Sequence, residues 1–125
     1  MVIVLDHTIV SVKDQAEAVA FYVKILGFKD EGRFGHFAIV RVNETLTFDF
    51  IASKKFPTQH FAFAMEADEF EKVFQRIKEA GIPYGDGPSD LTNMKGPGMT
   101  LGARGDGKAV YFRDPSGHAL EIKTY

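Results

Sequence analysis

Two stretches of sequence decide the fold: DQAEAVAFYVKILG over residues 14–27 and DEFEKVFQRIKEAG over residues 68–81. Each begins with an aspartate followed three residues later by a glutamate, which is the pattern of a helix N-cap with its capping-box partner. Each then carries apolar residues at helical spacing and ends in a glycine, a residue suited to a left-handed helix end. Both intervals from cap to glycine are 13 residues, so the two stretches predict two equivalent helices capped by Asp14 and Asp68.

The helices belong to a longer internal repeat, in which the two copies are offset by 54 residues. A strand is predicted before each helix, at Leu5–Val12 and Gln59–Met65. Further strands are predicted over residues 37–42 and 45–51 in the first copy, and over residues 99–101, 109–113 and 118–124 in the second. The repeat therefore predicts an α+β fold, a single domain of two paired βαβββ modules at about residues 1–52 and 58–125. Ser53–Thr58 is the expected linker, and Gly85–Lys108, rich in glycine and proline, is expected to form a mobile loop.

The composition limits the classes of function. With 125 residues, a net charge of -2 and no cysteine, the chain has the size of one domain and no charge excess that would attract nucleic acid or an anionic membrane. Disulfides and thiolate metal sites are excluded, so nitrogen and oxygen atoms must hold any metal. The N-terminus lacks the basic leader of a signal peptide, and no apolar stretch reaches the length of about 20 residues that spans a bilayer. A cytoplasmic location is expected.

Two histidines occupy equivalent points of the repeat. His7 and His60 lie 7 and 8 residues before the predicted helix caps Asp14 and Asp68. A pseudo-twofold axis relating the modules would bring both imidazoles into one central site, inside a cup-shaped mixed sheet. His60 also shares its strand face with two alanines, at positions 62 and 64, which leave space for a ligand.

The last hairpin supplies a third candidate. In YFRDPSGHALEIK, residues 111–123, the sequence Asp-Pro-Ser-Gly predicts a three-residue hairpin loop. Pairing Asp114 with His118 across this loop places Tyr111 opposite Glu121, on the sheet face away from the apolar residues. Glu121 then needs either water or a cation.

Each of these residues has an ordinary structural explanation when it is considered alone. Strand histidines are commonly hydrogen-bonded without binding a metal, and a glutamate near a C-terminus is commonly solvated. Together, however, two register-matched histidines and one strand glutamate form the 2-His-1-carboxylate set, which leaves coordination positions open for a substrate. His7, His60 and Glu121 are therefore the candidate metal ligands.

The sequence resembles the vicinal oxygen chelate superfamily, which includes glyoxalase I, extradiol dioxygenases, fosfomycin-resistance enzymes and bleomycin-resistance proteins. The resemblance covers essentially the whole chain and is carried by LDHTIVSVKD, FYVKILGF, QHFAFAM and above all YFRDPSGHALEI. It implies paired βαβββ modules closing a cup around one divalent metal ion, of Fe, Mn, Ni, Co or Zn, with the family's metal positions at His7, His60 and Glu121. It also implies a small-molecule substrate and a homodimer.

Further site residues follow with the resemblance. Tyr111 matches the active-site tyrosine of extradiol dioxygenases, although the histidine expected a few residues upstream is replaced by Gly-Ala-Arg at positions 102–104. Asp49 is the counterpart of Glu121 in the first module and is a candidate fourth ligand or base, or else a hydrogen-bonded strand aspartate. Lys95 and Arg104 are candidates to bind a substrate carboxylate or phosphate, with solvated loop charges as the alternative.

Two functions are consistent with this sequence. The first is a metal-dependent enzyme acting on a small molecule with vicinal oxygens, as a lyase, isomerase, thiol transferase or dioxygenase. The second is a non-catalytic protein of the bleomycin-resistance type that sequesters a drug or metabolite.

Overall fold

The computed structural model of the protein describes residues 2–125, which form two compact units, the first ending at Pro57 and the second spanning Thr58–Tyr125. Each unit contains a β-sheet with both parallel and antiparallel pairs, together with a main helix. The predicted α+β class is confirmed; the first unit has the order βαβββ, and the second has one additional short strand, Tyr84–Gly85, directly after its helix.

The elements of the first unit are β1 (His7–Val12), α1 (Gln15–Phe21) with a π-helical turn (Tyr22–Leu26), β2 (Lys29–Phe34), β3 (Phe37–Arg41) and β4 (Thr47–Ala52). The strand order in its sheet is β1-β4-β3-β2. Strand β1 runs parallel to β4, whereas the other neighbouring strands are antiparallel.

Helix α1 begins and ends as its sequence predicts. The Asp14 side chain accepts a hydrogen bond from the Glu17 backbone N–H at 2.8 Å, and Gly27 ends the π-helical turn with φ of 76°. The Tyr22 ring in that turn packs on Phe50 of β4, with 5.2 Å between the ring centroids. The face of the sheet that carries Phe48 and Phe50 is therefore the core of the unit, and the opposite face, which carries His7 and Asp49, is less buried.

The elements of the second unit are β5 (His60–Ala64), α2 (Ala67–Glu79), β6 (Tyr84–Gly85), β7 (Gly98–Gly102), β8 (Gly105–Arg113) and β9 (Ala119–Thr124). The strand order is β5-β9-β8-β6, and β7 also pairs with β8. Strands β5 and β9 are parallel, whereas β9 and β8 are antiparallel. This arrangement repeats the β1-β4-β3 order of the first unit.

Helix α2 has the predicted apolar stripe but begins earlier than predicted. Its buried residues are Phe70, Val73, Phe74 and Ile77. The N-cap is Glu66, so the prediction of Asp68 as cap is wrong: Asp68 lies in the first turn, where a carboxylate is stabilised by the helix dipole. In the part of the chain that the structure describes, no helix has the length and apolar character needed to cross a bilayer.

Two segments differ from their predictions. Strand β2 was not predicted because all six of its residues are exposed and show no apolar alternation. The expected loop Gly85–Lys108 contains β7, which confirms the strand predicted over residues 99–101, and also the start of β8; the two strands pair from Gly98↔Ala109 to Gly102↔Gly105. Glycine is depleted in strands generally, so the composition of this segment indicated a loop where the backbone forms a hairpin.

The β8–β9 hairpin has the predicted register. Tyr111 pairs with Glu121, and the Asp114 backbone N–H donates to the His118 carbonyl at 3.0 Å. The buried Asp114 carboxylate accepts from the backbone N–H groups of Ser116 and His118, each at 2.9 Å. These bonds fix the loop and therefore the pairing of Tyr111 with Glu121.

Replacing Asp114 should destabilise the protein. Asp114→Ala leaves two buried N–H groups without their charged acceptor, and we expect the free energy of unfolding to fall by about 2 kcal/mol. Urea unfolding followed by circular dichroism measures this change. The control is Asp106→Ala, at an exposed position of β8, for which we expect a change within about 0.5 kcal/mol. Equal effects of the two substitutions would contradict the role given to the Asp114 carboxylate.

Candidate metal centre

His60 and Glu121 come together on neighbouring parallel strands. His60 on β5 pairs with Ala119 on β9, and Glu121 lies two residues further along β9, on the same face. His60 Nε2 and Glu121 Oε1 are 3.1 Å apart. The parallel register of β5 and β9 thus places an imidazole nitrogen and a carboxylate oxygen in direct contact.

This pair of atoms fits a shared metal ion. Two ligand atoms that bind at right angles, each about 2.1 Å from a metal, lie about 3 Å apart. The 3.1 Å between His60 Nε2 and Glu121 Oε1 meets that requirement. Within either unit, the described residues include no group of three or more His, Cys, Asp or Glu side chains placed to hold a metal. The second unit therefore brings together two of the three predicted ligands, His60 and Glu121.

Glu121 is nearly buried and has a different partner at each oxygen. Its Oε1 lies beside His60, whereas its Oε2 is 3.5 Å from the ammonium nitrogen of Lys123. The Glu121 side chain is 9% exposed and that of Lys123 is 3% exposed. The sequence prediction that Glu121 needs water or a cation did not include Lys123. The sequence signal for Lys123 was its spacing of two residues from Glu121, because residues two apart on a strand share a face.

Tyr111 lies on the same face as this pair. Its ring stacks near the His60 imidazole, with 6.4 Å between centroids and 23° between planes. Its hydroxyl is 2.8 Å from Thr100 Oγ1. Burial raises the pKa of Tyr111, the Thr100 hydrogen bond opposes that shift, and the nearby Glu121 charge adds to it. The phenol therefore stays protonated at neutral pH and can donate a hydrogen bond.

The raised pKa of Tyr111 can be measured. In metal-free protein, the tyrosinate absorbance should show a component that appears above pH 10, the ordinary range for tyrosine. Tyr111→Phe should remove that late component. Tyr125→Phe, at an exposed position, is the control and should retain it. A titration in which Tyr111→Phe removes an early component would contradict the burial of this phenol.

In the first unit, His7 occupies the place that His60 has in the second. Each is the first residue of its strand, and His7 on β1 pairs with Thr47 on the parallel strand β4. His7 Nδ1 is 2.8 Å from the Asp6 carboxylate, and this bond raises the pKa of His7, with a smaller contribution from the charge of Asp49. A carboxylate at one ring nitrogen commonly orients the other toward a metal.

Asp49 is the register equivalent of Glu121. It lies two residues beyond Thr47, the partner of His7, as Glu121 lies two residues beyond Ala119, the partner of His60. Its Oδ1 accepts a hydrogen bond from the Thr47 hydroxyl at 2.8 Å. Asp49 therefore shares the sheet face of His7, and its carboxylate has a hydrogen-bond donor of its own.

The two candidate substrate-binding cations lie in different surroundings. Arg104 lines a cavity of about 180 Å³ together with Glu121 and Lys123, and its guanidinium lies over the Tyr125 ring at 5.2 Å. Lys95 is exposed and does not line this cavity. The structure thus brings Arg104, but not Lys95, to the cavity that contains Glu121.

Comparison with known proteins gives one family. The family model of the Glyoxalase/Bleomycin resistance protein/Dioxygenase superfamily matches residues 4–122. The solved structure of the oxidase ChaP-H2 is 32% identical, with a TM-score of 0.87, over 100% of this chain and 95% of that chain. The chain therefore belongs to the glyoxalase/bleomycin resistance protein/dioxygenase superfamily, and the resemblance predicted from its motifs is confirmed.

Two curated relatives extend the comparison. A virulence protein of Salmonella typhimurium is 27% identical over 129 residues, which cover 97% of this chain and 83% of the relative. The metallothiol transferase FosB of Lysinibacillus sphaericus is 26% identical over 134 residues, which cover 96% of this chain and 81% of the relative. The chain is thus similar over nearly its whole length to proteins named for different activities.

Proposed function

We propose that the chain is a metal-dependent enzyme that binds a small molecule through two neighbouring oxygen atoms. The observation that carries this proposal is the 3.1 Å approach of His60 Nε2 to Glu121 Oε1, beside a protonated Tyr111. His7 is the third proposed ligand of one divalent ion, contributed by the first unit of the same chain or of a second chain. Asp49, at the register equivalent of Glu121, is the proposed fourth ligand or base.

The ion, when bound, supplies Lewis-acid stabilisation of negative charge on a substrate oxygen. The residues of the chain provide the remaining functions. Tyr111 donates a hydrogen bond to that oxygen, since its raised pKa keeps the proton in place. Ala62 and Ala64, exposed on the face of β5 that carries His60, leave room for the substrate. Arg104 at the edge of the cavity pairs with a substrate carboxylate or phosphate.

Among the possible reaction classes, we favour oxidation. The 32% identity to an oxidase exceeds the 26% identity to a metallothiol transferase, and both alignments cover nearly the whole chain. The 2-His-1-carboxylate set is also the ligand set of non-haem Fe(II) oxygenases. Iron(II) is therefore the first metal to test, with Mn, Ni, Co and Zn as comparisons.

Metal analysis tests the proposal. Protein purified without chelators should hold about one equivalent of divalent metal per site, and His60→Ala should lose at least tenfold in affinity because a ligand is removed. The control is His36→Ala, an exposed histidine between β2 and β3. Oxygen consumption with a panel of aromatic and aliphatic vicinal diols then tests the reaction class. Metal-free protein that binds aromatic ligands without turnover would instead support sequestration.

We also propose a homodimer, as is common among members of this superfamily. Apolar residues before β1 are largely exposed, with Val2 86%, Ile3 90% and Leu5 65% accessible. A subunit surface of this kind is stabilised by covering it with a partner. Light scattering should give the mass of two 13.9 kDa chains, and a monomer at micromolar concentration would contradict the proposal.

A further inference from the structure

Lys123 is a buried lysine on β9, two residues after Glu121. Its ammonium nitrogen donates to the Thr100 carbonyl at 2.7 Å, to Thr100 Oγ1 at 2.9 Å and to the Gly107 carbonyl at 3.2 Å. An ammonium group has three N–H donors, and these three acceptors account for all of them. Burial of a charge is costly unless it is paired and hydrogen-bonded, so this site is built around a cation.

The surrounding sequence makes room for the lysine side chain. A Cβ atom at Gly102 on β7 would overlap Lys123 Cε and the Tyr125 hydroxyl. The Lys123 ammonium also lies 5.7 Å from the centre of the Tyr125 ring. The stem and the charge of Lys123 are therefore both fixed by neighbours, which distinguishes this residue from a solvated surface lysine.

Two residues of the proposed site depend on this ammonium. Glu121 Oε2 lies 3.5 Å from Lys123 Nζ, whereas Oε1 lies next to His60. Thr100 Oγ1, which accepts from Lys123, is also 2.8 Å from the Tyr111 hydroxyl. Because the ammonium can only donate, the Thr100 hydroxyl proton is available for the Tyr111 oxygen, and the Tyr111 hydroxyl in turn donates to the Glu121 carboxylate.

We propose that Lys123 is a positioning residue that makes Glu121 bind metal through one oxygen. The three N–H groups of Lys123 are used elsewhere, so the ammonium acts on Oε2 through its charge at 3.5 Å, which leaves Oε1 for an ion beside His60. The inference rests on the metal-binding function proposed above.

Binding of Glu121 through one oxygen matters because it changes the number of free coordination positions on the ion. With His7, His60 and Glu121 as single-atom ligands and Asp49 as the base, a six-coordinate ion would have three positions left, enough for two substrate oxygens and one molecule of dioxygen. A glutamate that binds through both oxygens would occupy one of these positions. Keeping Glu121 Oε2 beside the Lys123 charge therefore leaves coordination positions for both the substrate and dioxygen.

The test compares Lys123→Met with the wild-type protein. The lysine competes with the ion for the same carboxylate and repels it, so its loss should tighten Zn(II) binding, measured by calorimetry, by about tenfold. Lys123→Arg, which keeps the charge, should bind Zn(II) within a few-fold of the wild type. The matched control is Lys108→Met on the neighbouring strand, because Lys108 contacts Glu71 and not the site.

A second measurement reports the free positions directly. Fe(II) protein saturated with acetohydroxamate, which supplies two adjacent oxygens, should still bind nitric oxide and give the electron paramagnetic resonance signal of an iron–nitrosyl. In Lys123→Met, most of that signal should be lost, because Glu121 then occupies the third position. Neither measurement depends on turnover.

The outcomes separate this inference from the proposed function. Wild-type protein that binds no divalent metal would overturn the proposed function. Wild-type protein that binds metal, with equal or weaker binding in Lys123→Met and an unchanged nitrosyl signal, would overturn the inference alone. Lys123→Gln, which keeps hydrogen-bond donors without the charge, should bind Zn(II) more tightly as Lys123→Met does. If both neutral variants were unfolded even with metal, Lys123 would have a role in stability only and the inference would be wrong.

Discussion

The parallel pairing of β5 with β9 is the constraint on which the site depends. Side chains alternate between the two faces of a strand, so a slip of one residue would move Glu121 to the apolar face and separate it from His60. The Asp114 loop prevents such a slip on the β8 side, since its carboxylate holds the backbone of Ser116 and His118. The position of the Glu121 carboxylate is thus set by a turn that begins seven residues earlier in the chain.

Much of this arrangement is predictable from the sequence because it depends on local rules. The cap of α1 by Asp14, the stripe of α2 and the register of the last hairpin each follow from spacing and turn chemistry, and the structure confirms them. The pairing of Tyr111 with Glu121 follows from the hairpin register alone. The approach of His60 to Glu121 also needs the parallel pairing of β5 with β9, which joins residues 61 apart in the sequence.

The rest of the fold and of the candidate site depends on contacts between residues distant in sequence, which the spacing of residues does not reveal. The centre of β7, residues 99–101, is predicted as a strand, but the spacing does not show that Gly102 is needed because Lys123 occupies the space above it. In the sequence, Lys123 cannot be distinguished from a solvated lysine near the C-terminus. Only the three acceptors on Thr100 and Gly107, contributed by two other strands, explain why an ammonium is buried there.

The equivalent registers of Asp49 and Glu121 have a consequence for how such a molecule diverges. The two carboxylates occupy matching places in the two units, yet they differ in length by a single methylene group. The longer one reaches its neighbouring imidazole, whereas the shorter one is hydrogen-bonded to Thr47 on its own strand. A repeated scaffold can therefore specialise its halves through small changes in side-chain reach at equivalent positions of paired strands.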